Sequence, residues 1–236
     1  TDFTLIGTTD AEHNDPNTKP FATDAEQDYL VAFANQYFEA TITRDDIVWS
    51  YSGVRPLYDD GAKSATAATR EYVLTLNDDG APLLNVFGGK ITTYRKLAEA
   101  AMEKIEPFFA NVGKPWTAGA PMPGGDFPVD GVADLTARLT KHYPFLTSRW
   151  SSRMVKAYGL DAFDVLGDAT IDADLGRNFG STLTEREAGW LIHNEFARTA
   201  EDVVWRRSKL GLRMTAPEIK SLDEWMAKNA STQAST

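Results

Sequence analysis

The residues best placed to do chemistry lie in the octet Gly88-Gly89-Lys90-Ile91-Thr92-Thr93-Tyr94-Arg95. It follows the apolar run Leu83-Leu84-Asn85-Val86-Phe87, and Tyr94, Leu97, Ala98, Ala101, Met102 and Ile105 then recur at helical spacing. Strand, glycine pair and helix in that order present free backbone N–H groups to an anion. Gly88 and Gly89 let a ligand come close to the backbone, and Lys90 adds a positive charge at the same place. The expected ligand is a phosphate or the anionic ring of a reduced cofactor. The pattern is not a P-loop: that motif needs a glycine where Leu84 stands and a Ser or Thr where Ile91 stands. The spacing alone is equally that of a glycine turn joining a strand to a helix.

The elements that must position this octet read as follows. Phe3-Thr4-Leu5-Ile6-Gly7 is strand-like, so the chain begins inside a strand and looks cut from something longer. Residues 10–20 form a polar loop. Thr23-Asp24-Ala25-Glu26 is a capping box opening a helix whose apolar face is Tyr29, Leu30, Phe33, Tyr37 and Phe38. Ile47-Val48-Trp49-Ser50-Tyr51 reads as a strand ending at Ser52-Gly53-Val54-Arg55-Pro56-Leu57. The strand Tyr72-Val73-Leu74-Thr75-Leu76 meets 83–87 across Asn77-Asp78-Asp79-Gly80, a hairpin signal, and a helix covers 92–106 with Tyr94 in the core.

Residues 114–130, with four prolines and three glycines, read as a linker. Beyond it helical patterns cover 132–142, 147–158, 160–167, 184–197, 200–209 and 217–229, with a second capping box at Thr184-Glu185-Arg186-Glu187. The fold class is therefore α+β. A partial antiparallel or mixed β-sheet domain spans 1–113, an all-α domain spans 131–229, and the small polar tail 230–236 is expected to be disordered.

Composition sets outer limits. Lys+Arg 24 against Asp+Glu 34 gives a net charge of −10, which disfavours nucleic acid as a partner. With no Cys there is no disulfide or thiol chemistry, and His13, His142 and His193 show no metal-ligand spacing, so no metal site is expected. No stretch has the apolar length of a transmembrane helix.

Three segments converge on one family: Tyr51-Ser52-Gly53-Val54-Arg55-Pro56-Leu57, Thr69-Arg70-Glu71-Tyr72 and Phe87 through Glu99. Together they resemble the FAD-dependent glycerol-3-phosphate dehydrogenases of the respiratory type, and residues 201–213 look like the C-terminal domain of that family. The resemblance implies the C-terminal half of a flavoenzyme that oxidises sn-glycerol 3-phosphate to dihydroxyacetone phosphate, passes hydride to FAD and hands electrons to a quinone. It implies a peripheral location on the cytoplasmic face of the cell membrane. Arg55 is then expected to contact the substrate phosphate, and Arg70 to assist from the substrate side of the flavin. Lys90 is the expected catalytic residue near flavin and substrate. Gly88, Gly89, Lys90, Ile91 and Thr92 are expected to bind FAD, with the backbone from Gly89 to Thr92 at the pyrimidine edge of its ring.

The family pattern also has a G-x-G-x-x-G pyrophosphate site and a proton-accepting histidine, both upstream, and neither maps to a residue here. The chain is expected to hold half a flavin site and to be inactive alone. Two alternatives remain open: an oxygen-using glycerol-3-phosphate oxidase, and an interaction module whose helical domain mediates dimerisation. For Arg70 a cross-strand ion pair is the competing reading. For Thr92 and Thr93 it is helix capping. Trp205-Arg206-Arg207 reads as a packed helix with solvated arginines.

Overall fold

The computed structural model describes residues 2–15, 17–58 and 71–230. Of the expected tail 230–236, Ala230 ends the last helix and the rest lies outside the described residues, as does the candidate Arg70. The chain divides into two compact units, Thr1–Ala120 and Pro121–Thr236.

The first unit opens with irregular chain. The helix α1 (Asp24–Ala34) starts where the capping box places it: the Glu26 amide donates to the Thr23 hydroxyl, and the Glu26 carboxylate accepts from the Thr23 amide at 2.8 Å. The same carboxylate accepts a 2.6 Å bond from the Thr9 hydroxyl, which ties the opening segment to the helix. A hairpin follows, β1 (Tyr72–Asn77) antiparallel to β2 (Leu83–Gly88), with Tyr72 opposite Gly88 and Asn77 opposite Leu83. Its turn is set by Asn77, whose side chain accepts from the Asp79 amide at 2.9 Å. A 3₁₀ turn, Ile91–Thr93, leads into α2 (Tyr94–Ile105).

Two expected strands are absent. Residues 3–7 and 47–51 have suitable composition, but neither is paired in either sheet of the described residues, and an unpaired segment forms no ladder. Arg55 therefore follows irregular backbone rather than a strand. Among the described residues the sheet of this unit is a two-stranded antiparallel hairpin. Apolar side chains are poorly covered here. Ala34 is the one fully buried apolar residue of this unit among the described residues, and Tyr29, Phe33 and Tyr37 stack along the outside of α1 at centroid separations of 6.2 and 5.0 Å. Tyr94, expected in the core, is half exposed for the same reason.

The second unit carries the core. Its helices are α3 (Val132–His142), α4 (Ser148–Tyr158), α5 (Ala162–Leu166), α6 (Glu185–Asn194) and α7 (Ala216–Ala230). One cluster joins Leu135, Leu139, Met154 and Leu166, another joins Leu183, Leu191, Val203 and Leu222, and Tyr158 and Trp190 pack against both. The segment from 121 to 131 belongs to this unit, with the Leu160 amide donating to the Gly124 carbonyl at 2.8 Å.

The unit is not all-α. A short antiparallel ribbon, β3 (Asn178–Gly180) and β4 (Leu183–Thr184), turns at Ser181 and Thr182, both with positive φ. Two-residue pairings leave no alternating pattern for sequence to reveal. The capping box expected at 184–187 is only half made. Thr184 accepts from the Glu187 amide, but the Glu187 carboxylate turns inward, where it receives both Arg153 Nη groups at 2.7 Å and the Tyr158 hydroxyl at 2.7 Å. Arg153 also donates to the hydroxyl and carbonyl of Thr182, which holds the ribbon's turn. Burial disfavours the Arg153 charge, yet the Glu187 carboxylate outweighs it and leaves the guanidinium harder to deprotonate than usual. Burial, with the Glu187 charge added, pushes the Tyr158 hydroxyl well above the ordinary phenol range.

The segment expected as a helix over 200–209 is a π-helix, Asp202–Arg207, closed by the Ser208 amide on the Val203 carbonyl at 3.1 Å. Its arginines are bonded rather than simply solvated: Arg206 to Asp202 and Glu201, and Arg207 to the Glu195 carbonyl.

Glu187→Ala leaves Arg153 as an unpaired buried charge and is expected to destabilise the protein by about 3–5 kcal/mol in urea unfolding, whereas Arg153→Met with Glu187→Leu should cost much less. At the start of α1, the Thr9 hydroxyl first, and then the Thr23 amide and hydroxyl, hold the Glu26 carboxyl at about 2 instead of 4.5. A lowered pKa means that the contribution of these bonds is complete above pH 4.5 and is lost as pH falls toward 2. Carbon NMR titration of the Glu26 carboxyl should show the low midpoint, and Thr9→Val should raise it.

Candidate functional site

The hairpin ends at Gly88, and two successive positive φ values, 65° at Gly88 and 92° at Gly89, turn the chain from β2 into the helical run. A Cβ at Gly88 would lie 3.1 Å from the Glu71 carbonyl oxygen and 3.7 Å from that of Pro56. A Cβ at Gly89 would lie 3.3 Å from Tyr72 Cβ and 3.4 Å from Leu97 Cδ1. The pair is thus required by the turn itself and by the close packing of α2 on β1.

Lys90 stands at the head of the helical run with extended backbone and an exposed side chain, and its ammonium forms no ion pair with any described residue. The amides of Ile91 and Thr92 open the run, so they have no intrahelical acceptor. Among the described residues no side chain caps either helix start. Thr93 instead donates its hydroxyl to the Lys90 carbonyl at 2.9 Å. Ile91 is 88% exposed, an apolar side chain set beside free amides and a cation. This combination suits a planar, partly apolar ring with a polar edge that accepts hydrogen bonds, which is the chemistry of a flavin.

One turn further along, two cations share one carboxylate. Glu99 receives Arg95, Lys96 and the Thr117 hydroxyl. The Lys96 bond first, then the Thr117 bond and the nearby Arg95 charge, hold its carboxyl below the usual range. Lys90, unlike Arg95 and Lys96, has no carboxylate partner among the described residues.

The Arg55 segment reaches the same turn: the Pro56 carbonyl lies beside Gly88, and the Tyr58 ring tilts against Phe87 at 5.7 Å between centroids. Arg55 itself is 51% exposed and donates from Nη1 to Asp10 Oδ1 at 3.3 Å. The structure thus brings the backbone that follows Arg55 against the Gly88 turn, from which Gly89, Lys90, Ile91 and Thr92 continue, while the Arg55 side chain goes to Asp10. Asp10 is the residue that sequence reasoning missed. It lies 45 positions from Arg55, and no periodicity signals a pairing over that distance.

Residues 1–95 match the family described as FAD dependent oxidoreductase, and residues 116–231 match the C-terminal domain of alpha-glycerophosphate oxidase. The aerobic glycerol-3-phosphate dehydrogenase of Escherichia coli is 42% identical over 229 residues, covering 96% of this chain and 46% of that protein. A glycerol-3-phosphate dehydrogenase of Pseudomonas aeruginosa is 42% identical over 226 residues, 95% of this chain and 44% of its own length. D-erythritol 1-phosphate dehydrogenase of Brucella abortus is 40% identical over 225 residues, 95% and 45% of the two chains. The chain spans about half the length of the curated relatives it matches.

Gly89→Ala adds a side chain at positive φ and against Tyr72 and Leu97. It is expected to destabilise the first unit by about 1–3 kcal/mol. Amide hydrogen exchange in β1 and β2 should rise, with exchange in α3 to α7 unchanged.

Proposed function

Because this chain belongs to the family of FAD-dependent glycerol-3-phosphate dehydrogenases, we propose that it forms the C-terminal portion of a flavoenzyme oxidising sn-glycerol 3-phosphate to dihydroxyacetone phosphate. The observation that carries this reading is the head of the helical run, where two amides without an intrahelical acceptor, Lys90 and an exposed Ile91 follow a glycine turn that packs against the Arg55 segment. FAD, when bound, would supply the acceptor for the hydride of the hydroxyl-bearing carbon.

The chain's own residues prepare that transfer. The Ile91 and Thr92 amides, aimed by the Gly88-Gly89 turn, would hold the ring of FAD and would stabilise the negative charge of its reduced form. The Lys90 ammonium adds its field there. Such donors are fixed before reaction, so they stabilise the charge without reorganising. Arg55 binds the phosphate, which its planar fork can grip with two parallel N–H bonds, and Arg70 assists from the substrate side. The group that takes the hydroxyl proton belongs to the part of the enzyme upstream of these residues.

The partners in this reading are a quinone acceptor, the inner face of the cell membrane as a peripheral docking surface, and a second copy of the chain. No helix among the described residues is long and apolar enough to cross a membrane. The match of 116–231 to an oxidase domain supports oxygen as a second candidate acceptor. The Brucella abortus relative supports a longer polyol phosphate as a second candidate substrate.

In the FAD-loaded enzyme containing this chain, glycerol 3-phosphate should bleach the flavin absorbance under anaerobic conditions. Lys90→Ala should slow that bleaching by the equivalent of about 2–4 kcal/mol of transition-state stabilisation, and an unchanged rate would remove Lys90 from the mechanism. Arg55→Ala should raise KM for glycerol 3-phosphate by roughly 10–100-fold while leaving KM for glycerol, which has no phosphate, nearly constant. Equal effects on both would dismiss the phosphate role.

A further inference from the structure

We infer that Asp10 is a positioning residue for substrate phosphate: its carboxylate holds one edge of the Arg55 guanidinium so that the remaining N–H donors face the anion. This rests on the phosphate role of Arg55 given above. The stem of Arg55 is restrained by the following proline, which keeps the residue before it extended. The Pro56 carbonyl is itself lodged beside Gly88. The tip is held by the 3.3 Å bond from Nη1 to Asp10 Oδ1. Asp10 is not on a loose loop, because the adjacent Thr9 is bonded to Glu26 within the capping box of α1. The chain of contacts thus runs from a helix start through Thr9 and Asp10 to the arginine.

One bond occupies one of the five N–H donors of a guanidinium. Among the described residues Arg55 has no second partner, so an edge remains for the two parallel bonds that a phosphate accepts. Stability is a poor explanation for the pair, since both side chains are over 40% exposed and such surface pairs contribute little. Simple electrostatics is a worse one: a carboxylate beside a phosphate site repels the ligand. Orientation accounts for an acid at this position, and it predicts the opposite sign from electrostatics.

The test uses the FAD-loaded enzyme containing this chain, with Asp10→Asn, Asp10→Glu and Arg55→Ala. Calorimetric binding of inorganic phosphate to the oxidised protein is measured beside KM and kcat for glycerol 3-phosphate and the melting temperature. Asp10→Asn is expected to weaken phosphate binding and raise KM by about fivefold, with kcat within about twofold and the melting temperature held. Asp10→Glu should fall between it and the parent. Tighter or unchanged phosphate binding in Asp10→Asn, with weakened binding in Arg55→Ala, overturns the positioning role and leaves the Arg55 role standing. Unchanged binding in Arg55→Ala overturns both. If Asp10→Asn does not fold, Asp10→Glu decides, and phosphate binding equal to the parent overturns the inference.

Discussion

The buried ion pair of Arg153 and Glu187 is the constraint around which the second unit is arranged. A guanidinium and a carboxylate taken from water are tolerated only where geometry and extra hydrogen bonds compensate the lost hydration. Tyr158 and Thr182 provide those bonds. The consequence is that α4, α6 and the turn of the β3–β4 ribbon must meet at one point. Tyr158, which bonds the carboxylate, also packs against both apolar clusters. Satisfying one pair of charges thus fixes how two clusters adjoin, a specificity that apolar contacts alone supply less sharply.

The first unit rests on a different principle. With little apolar surface fully buried, the described residues of this unit are tied by polar contacts, some within a turn and some between segments: the Thr9–Thr23–Glu26 cap, the Asn77 turn and the Arg95–Glu99–Thr117 cluster. The candidate site stands in this unit. Its alignment depends on a glycine turn with no conformational alternatives for ordinary residues, which is how a sparsely packed region can still aim backbone amides accurately.

Much of this was legible in the sequence where the cause is local. The capping box at Thr23, the hairpin across Asn77–Gly80 and the helix after Lys90 each depend on residues within a few positions of one another. Legibility failed where the deciding partner is distant. Residues 3–7 and 47–51 have strand composition but no pairing strand among the described residues, and composition does not report a partner. Glu187 has capping spacing, yet its carboxylate goes to an arginine 34 positions earlier. The glycine turn and Lys90 were readable from type and spacing, while the carboxylate that faces Arg55 was not. The family resemblance added the proposed roles of Arg55 and Arg70, which no local pattern conveys.

The π-helix at 202–207 has a consequence for how this chain tolerates length changes. A π turn holds one residue more than an α turn, so the segment contains a surplus residue relative to a regular helix. That surplus sets the phase at which Trp205 emerges, and the Trp205 ring lies where a Cβ on Gly211 would come within 2.5 Å. Removing one residue here would let an α-helix form, but it would rotate every later side chain of the segment by roughly 100° about the axis. Trp205 would leave Gly211, and the arginines would leave their acceptors. Surface loops in such a fold absorb insertions and deletions freely. In this helix, residue count is itself a determinant of structure, independent of which residues are present.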